Sequence, residues 1–176
     1  MKNKTLVVID IQKEYTTEGR PFRIESIGPS LSNAKIVLEK ARAENWQIIH
    51  VQHLQEGDLF NHKSELSNFV AGFEPQGREL KVIKNNYSSY SAETFAEAMK
   101  TCADAKHEVV VIGYGSTMCC ISTIIDGYHR GNKMVFVQDA SNSKSGGGLS
   151  EANLHTSATH IISNFARVTS TSEFSA

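Results

Sequence analysis

The segment Val109-Val110-Val111-Ile112-Gly113-Tyr114-Gly115-Ser116-Thr117-Met118-Cys119-Cys120 constrains this chain more than any other stretch. It is an apolar β-branched run, a turn of small residues, and then a helical pattern. A fully buried parallel strand reads this way when it feeds directly into a helix. The thiol of Cys119 therefore falls in the first turn of that helix. Unpaired backbone N–H groups and the positive end of the helix dipole favour a thiolate there, and the same N–H groups offer an oxyanion site.

The pattern recurs along the chain. Strands are expected at Thr5–Asp10, Gln47–His53, Leu80–Lys84, Glu108–Gly113, Lys133–Gln138 and Ala166–Thr169. Between the first two, Ile27, Leu31, Ala34, Leu38 and Ala41 recur at spacings of four and three, one face of a helix. A second helix is expected to start at Ser91 as its cap, with Phe95, Met99 and Cys102 on the buried side. A third runs from about Thr117 to Arg130 and stops before Gly131. A fourth carries Leu149, Ala152, Ala158, Ile161, Ile162 and Phe165. Such alternation predicts a three-layer α/β/α sandwich around a six-stranded parallel sheet. No repeat or linker interrupts it, so residues 1–176 read as a single domain.

Net charge is −1 with Lys and Arg scattered, which gives no basis for a nucleic-acid or membrane partner. The N-terminal apolar stretch is too short for the core of a signal peptide, and no other run could span a bilayer. Three cysteines, two of them adjacent, imply no disulfide framework; reduced thiols in a cytoplasmic protein is the expectation. From Leu54 to Arg78 a long connection holds Phe60, Phe69 and Phe73. Two readings stand for it: a lid or binding loop, or a short helix against the sheet edge or a neighbouring subunit. Its phenylalanines would form an exposed apolar patch suited to self-association.

Ligands of open parallel sheets bind outside the carboxyl ends of the strands. Asp10, Lys84 and Cys119 all sit at such ends. Singly, each has a dull explanation, as turn residue, solvated strand end or small core residue. Together they make a nucleophile, a carboxylate able to take its proton, and an ammonium that holds the carboxylate ionised and lowers the thiol pKa.

Three stretches now carry a resemblance. Leu6-Val7-Val8-Ile9-Asp10-Ile11-Gln12 with Tyr15 is similar to an Asp-x-Gln-x-x-aromatic motif. Val82-Ile83-Lys84-Asn85-Asn86-Tyr87-Ser88-Ser89-Tyr90 is similar to a Lys-x-x-aromatic-Ser-x-aromatic segment. Gly113 through Thr123, with Asp126, Gly131 and Asp139-Ala140, matches the remaining block. The chain thus resembles the isochorismatase-like cysteine hydrolase superfamily, which includes nicotinamidases, N-carbamoylsarcosine amidases and streptothricin hydrolases.

The resemblance implies strand order 3-2-1-4-5-6 and self-association as a homodimer or larger homo-oligomer. It implies Asp10 as base, Lys84 as its partner and Cys119 as nucleophile. It further implies a cis peptide between Tyr114 and Gly115, and an oxyanion hole from the N–H groups of Gly115 and Cys119. Tyr15, His53, Tyr87 and Tyr90 are the candidate substrate contacts. The region from His50 to Asp58 lacks the histidine pattern of the metal-binding nicotinamidases, so no metal and no other cofactor are expected. His50 reads as packed in its strand and His62 as solvated. Enzymes that cleave the vinyl ether of isochorismate typically have a small residue where Cys119 stands. The expected reaction is therefore hydrolysis of a C–N bond, amide or ureide, in a small molecule through a thioester.

The alternatives are vinyl ether hydrolysis, or a redox or non-catalytic protein of the same fold. No Cys-x-x-Cys motif supports redox work, and no Gly-x-Gly-x-x-Gly follows the first strand. Gly146-Gly147-Gly148 reads as a mobile rim rather than a phosphate cradle.

Overall fold

The computed structural model describes residues 4–174, so the first three residues of the N-terminal stretch lie outside it. Six strands, β1 (Lys4–Ile9), β2 (Gln47–His53), β3 (Leu80–Lys84), β4 (Glu108–Tyr114), β5 (Lys133–Asn142) and β6 (Arg167–Thr169), form one sheet in the order β3-β2-β1-β4-β5-β6. Every neighbouring pair is parallel. Helix α1 (Ile27–Ala43) covers one face; α2 (Glu93–Asp104), α3 (Ile121–His129) and α4 (Glu151–Ile162) cover the other. None of the described helices is long and apolar enough to cross a membrane.

Strand residues alternate between two apolar clusters. Leu6, Val8, Ile48, Val110 and Ile112 pack against Ala34, Val37, Leu38 and Ala41 of α1. Val7, Ile9, Ile49, Val51, Val109 and Val111 pack against Phe95, Met99 and Cys102 of α2, Ile124 of α3 and Ile162 of α4. Full burial of one such large side chain stabilises by roughly 1.5–3 kcal/mol, so burial on both sheet faces holds the layers together.

Four expectations change in detail. Strand β5 runs on to Asn142 because its register against β4 jumps from Val111↔Phe136 to Gly113↔Ser141. Asp139 and Ala140 therefore lie within a bulged strand and not after it. Helix α2 begins at Glu93; Ser91 sits in a preceding 3-10 turn, Ser89–Ser91, capped by the Ser88 hydroxyl accepting from Tyr90 N–H. On α4 only Ala158 and Ile162 are buried and Ile161 is exposed, while Leu149, also exposed, precedes the helix. Finally, Phe60, Phe69 and Phe73 are all buried, so the expected exposed patch does not exist.

The 54–78 connection is instead pulled down over the sheet. Gln12 is fully buried just beyond β1, and its amide is satisfied on every side. Its oxygen accepts from His53 N–H, and its nitrogen donates to the carbonyls of His53 and Ser67. Buried Glu14 accepts two bonds from the Arg20 guanidinium and one from Phe60 N–H. These two side chains fix the connection as a wall beside the carboxyl edge of the sheet.

Candidate active site

Asp10 turns the chain out of β1 at φ 50, a left-handed conformation that aspartate tolerates better than most residues. Lys84 closes β3, and Cys119 stands in a π-helical turn, Ser116–Cys120, that leads into α3. The peptide between Tyr114 and Gly115 is cis. Beneath the turn, β4 and β1 approach so closely that a Cβ on Gly113 would lie 2.0 Å from the Ile9 carbonyl oxygen. Its φ of +118 also demands glycine.

The three side chains meet. Lys84 Nζ lies 2.8 Å from Asp10 Oδ2 and 3.2 Å from Cys119 Sγ. It also lies 3.1 Å from His53 Nδ1 and donates to the Asn86 carbonyl at 3.0 Å. Four acceptors thus surround an ammonium with three protons. Asp10 and Lys84 are buried and Cys119 is 5 % exposed. The other carboxylate oxygen, Asp10 Oδ1, is buried with no hydrogen-bond partner among the described residues. A buried carboxylate oxygen left open in this way is a base with room for a proton.

Burial and the neighbouring charges pull on the thiol in opposite directions. Burial pushes the Cys119 thiol well above its ordinary value, and the Asp10 carboxylate adds to that; Lys84 opposes both without prevailing. Burial alone would lower the Lys84 ammonium, but Asp10 and Cys119 outweigh it and hold the group charged. Burial and the neighbouring carboxylate thus oppose the ammonium at Cys119. Cys120 is wholly buried and its thiol is raised to about 12, mainly by that burial.

Other motif residues act as clamps. Ser88 donates to the Asp126 carboxylate, and Ser89 bonds Thr123 Oγ1 through its N–H and hydroxyl at 3.0 and 3.1 Å. These bonds lock the turn after Lys84 onto α3, which follows Cys119. On the far side, His155 Nδ1 lies 2.9 Å from the Ser116 hydroxyl while its Nε2 meets the Gln138 carbonyl at 3.0 Å. Nothing in the sequence marks His155, which is 39 residues from Ser116 on a helix surface.

A cavity of about 130 Å³ opens above Cys119, lined by Tyr15, Phe22, His53, Gln55, Phe60, Tyr87 and Met118. Tyr15, His53 and Tyr87 thus fall where the sequence places them. Tyr90 does not. It packs edge-on against Phe95 at 4.9 Å and its hydroxyl accepts from Asn132, in a separate groove along α2. The 3-10 turn at Ser89–Ser91 rotates it away from the sheet edge. Phe22, Gln55 and Met118 were not singled out as contacts from sequence.

Asp10, His53 and Cys119 offer the one described trio with metal-ligating atoms close together, within 4.8 Å of one another. The Lys84 ammonium is in contact with all three and supplies the positive charge there.

Comparison with known proteins fits this arrangement. The isochorismatase domain matches residues 4–173. The chain belongs to the isochorismatase family, a family of hydrolases. A secreted isochorismatase effector of Verticillium dahliae is 30% identical over 155 residues, 87% of this chain and 80% of that protein. A ureidoacrylate amidohydrolase of Agrobacterium fabrum is 25% identical over 170 residues, covering 77% of this chain and 74% of its own. The crystal structure of an isochorismatase from Pseudomonas putida superposes with TM-score 0.88 over 98% of this chain and 91% of that one. At 24% identity that likeness speaks for the fold alone.

Proposed function

We propose that this chain is a cysteine-dependent hydrolase that cleaves the C–N bond of a small amide or ureide through a thioester. The observation that carries the reading is the open Asp10 Oδ1 in a buried cluster whose ammonium touches both Asp10 Oδ2 and Cys119 Sγ. The kinship with a ureidoacrylate amidohydrolase supports C–N cleavage.

As substrate binds, the Cys119 proton passes to Asp10 and sulfur attacks the carbonyl carbon. The carbonyl π pair moves to oxygen, where the N–H groups of Gly115 and Cys119 are assigned to receive it. Collapse breaks the C–N bond, and Asp10 returns its proton to the departing nitrogen. Water then loses a proton to Asp10 as its oxygen attacks the thioester. Cys119 leaves as thiolate and recovers that proton, which restores the site. Lys84 stays charged throughout and stabilises whichever of carboxylate or thiolate carries the negative charge. Vinyl ether hydrolysis has no use for a nucleophile at this place.

A cytoplasmic location belongs to the same reading, supported by three free cysteines. The test is release of ammonia from a panel of small amides and ureides. Native protein should release it and Cys119→Ala should not; equal release by both would refute the assignment.

A further inference from the structure

The pocket walls say more about the substrate than the reacting groups do. Tyr15, Phe22 and Phe60 touch one another as a cluster of rings, with centroids 5.5 Å apart for Tyr15–Phe60, 5.2 Å for Phe22–Phe60 and 6.1 Å for Tyr15–Phe22. Met118 and Tyr87 complete the apolar lining. The polar groups beside Cys119 are His53 and Gln55. Since His53 Nδ1 faces the Lys84 ammonium, its proton is on Nε2 and goes to Gln55 Oε1 at 3.0 Å. That leaves the Gln55 NH₂ group as a neutral donor at the rim.

No described residue lining the cavity is Lys or Arg. Two of the cations nearby are already engaged. Lys84 is held by Asp10, and Arg20 by both oxygens of Glu14 and the Asp58 carbonyl. Lys144 sits 5.0 Å from the centre of the Phe22 ring, outside the lining. A ligand carboxylate would enter a small aromatic pocket with no cation in its lining, where the Lys84 charge beneath Cys119 is already matched by Asp10. Burying an unpaired charge is heavily unfavourable, whereas burying an apolar flank is favourable.

We infer that the site selects small amides without a carboxylate, their apolar end against the Tyr15–Phe22–Phe60 rings and a polar atom on the Gln55 NH₂ group. This rests on the proposed function and names its substrate class. It sets the chain apart from its relative named for ureidoacrylate, a molecule that carries a carboxylate.

Two matched pairs test it. The first needs no turnover: alkylation of Cys119 by iodoacetamide and by iodoacetate, followed by mass spectrometry, with the rate ratio divided by that for a free small thiol. The normalised ratio should favour iodoacetamide by more than about 30-fold, the scale set by an unpaired ligand charge in a pocket with no cation. Phe22→Arg, which places a cation in the wall, should cut that preference at least tenfold, and Lys144→Gln should leave it unchanged. A ratio near one, or a preference that rises several-fold in Lys144→Gln, overturns the inference; the latter would make Lys144 the carboxylate's partner. The second pair is hydrolysis of butyramide against succinamate. Faster cleavage of succinamate also overturns the inference while leaving the cysteine-hydrolase reading intact. If neither amide is cleaved and the alkylation preference holds, the selectivity stands and the reaction assignment is what fails.

Discussion

Strand β2 carries two histidines three residues apart, and each joins a cluster of one acid and one cation. Toward its carboxyl end, His53 meets Lys84, which is paired with Asp10. Deeper in the strand, fully buried His50 places Nε2 2.8 Å from Glu79, which also takes two bonds from the Arg42 guanidinium and one from Gln76 N–H. The residue types match, yet the two carboxylates differ in satisfaction. Both Glu79 oxygens are occupied, and although burial pulls its pKa up, the bonds from Arg42, Gln76 and His50 hold it at about 2. Asp10 has an open oxygen, a thiol for a neighbour and a cavity above. A carboxylate with both oxygens bonded ties elements together, while one left open beside a cavity is where protons move.

Breaking each cluster should therefore give different losses. Cys119→Ala or Asp10→Asn should lower kcat/KM by about four to six orders of magnitude, and the two together little further, because the groups act as a unit. Lys84→Met should lose activity and also about 3–5 kcal/mol of stability, since it leaves Asp10 buried and unpaired. Adding Asp10→Asn to Lys84→Met should restore much of that stability and none of the activity, as read by urea unfolding beside ammonia release. A single variant that keeps near-native kcat/KM would remove its residue from the mechanism.

Glu79→Gln is the counterpart. It should cost about 1–3 kcal/mol through lost charge-assisted hydrogen bonds, with kcat unchanged below the melting point. Activity falling with Glu79→Gln at full folding would erase the contrast between the clusters.

Acid sharpens the contrast. The folded Glu79 carboxyl, near 2, lies below its ordinary 4.5. Its contribution is complete above 4.5 and is lost as pH falls through the window from 4.5 to 2. His50 is held below its ordinary 6.5, chiefly by burial. Unfolded chains then take up a proton that the folded protein refuses, so stability also declines as pH drops through 6.5. Urea titrations from pH 7.5 to 3.5 should show stability falling with acid, less steeply in Glu79→Gln; equal slopes would count against this cluster. The smallest effects belong to Tyr90→Phe and Cys120→Ala. Each should cost about 1 kcal/mol or less of stability and leave kcat/KM within about twofold, because neither side chain lines the cavity.

How much of this could be read from sequence depended on distance along the chain. Strand positions were legible because Leu6–Ile9, Ile48–Val51 and Val109–Ile112 are near-continuous apolar runs buried on both faces; strand order came from the family resemblance. Asp10, Lys84 and Cys119 were legible because each sits at the end of a strand or in the turn after one, where a parallel sheet gathers them. The Glu79–Arg42–His50 cluster was not, since Arg42 and Glu79 are 37 residues apart and neither belongs to a periodic signal. Tyr90 was misplaced because one 3-10 turn redirects a side chain in a way that spacing does not reveal. The burial of Phe60, Phe69 and Phe73 depends on Gln12 and Glu14, whose bonds to the 54–78 connection show no local pattern.

The most direct test of the central claim is an acid-quenched single turnover with butyramide, followed by mass spectrometry of the peptide holding Cys119 and Cys120. Native enzyme and Glu79→Gln should carry one acyl group on Cys119 and none on Cys120, and Asp10→Asn should carry none at all. Acylation of any residue other than Cys119, or ammonia release undiminished in Cys119→Ala, would contradict the account.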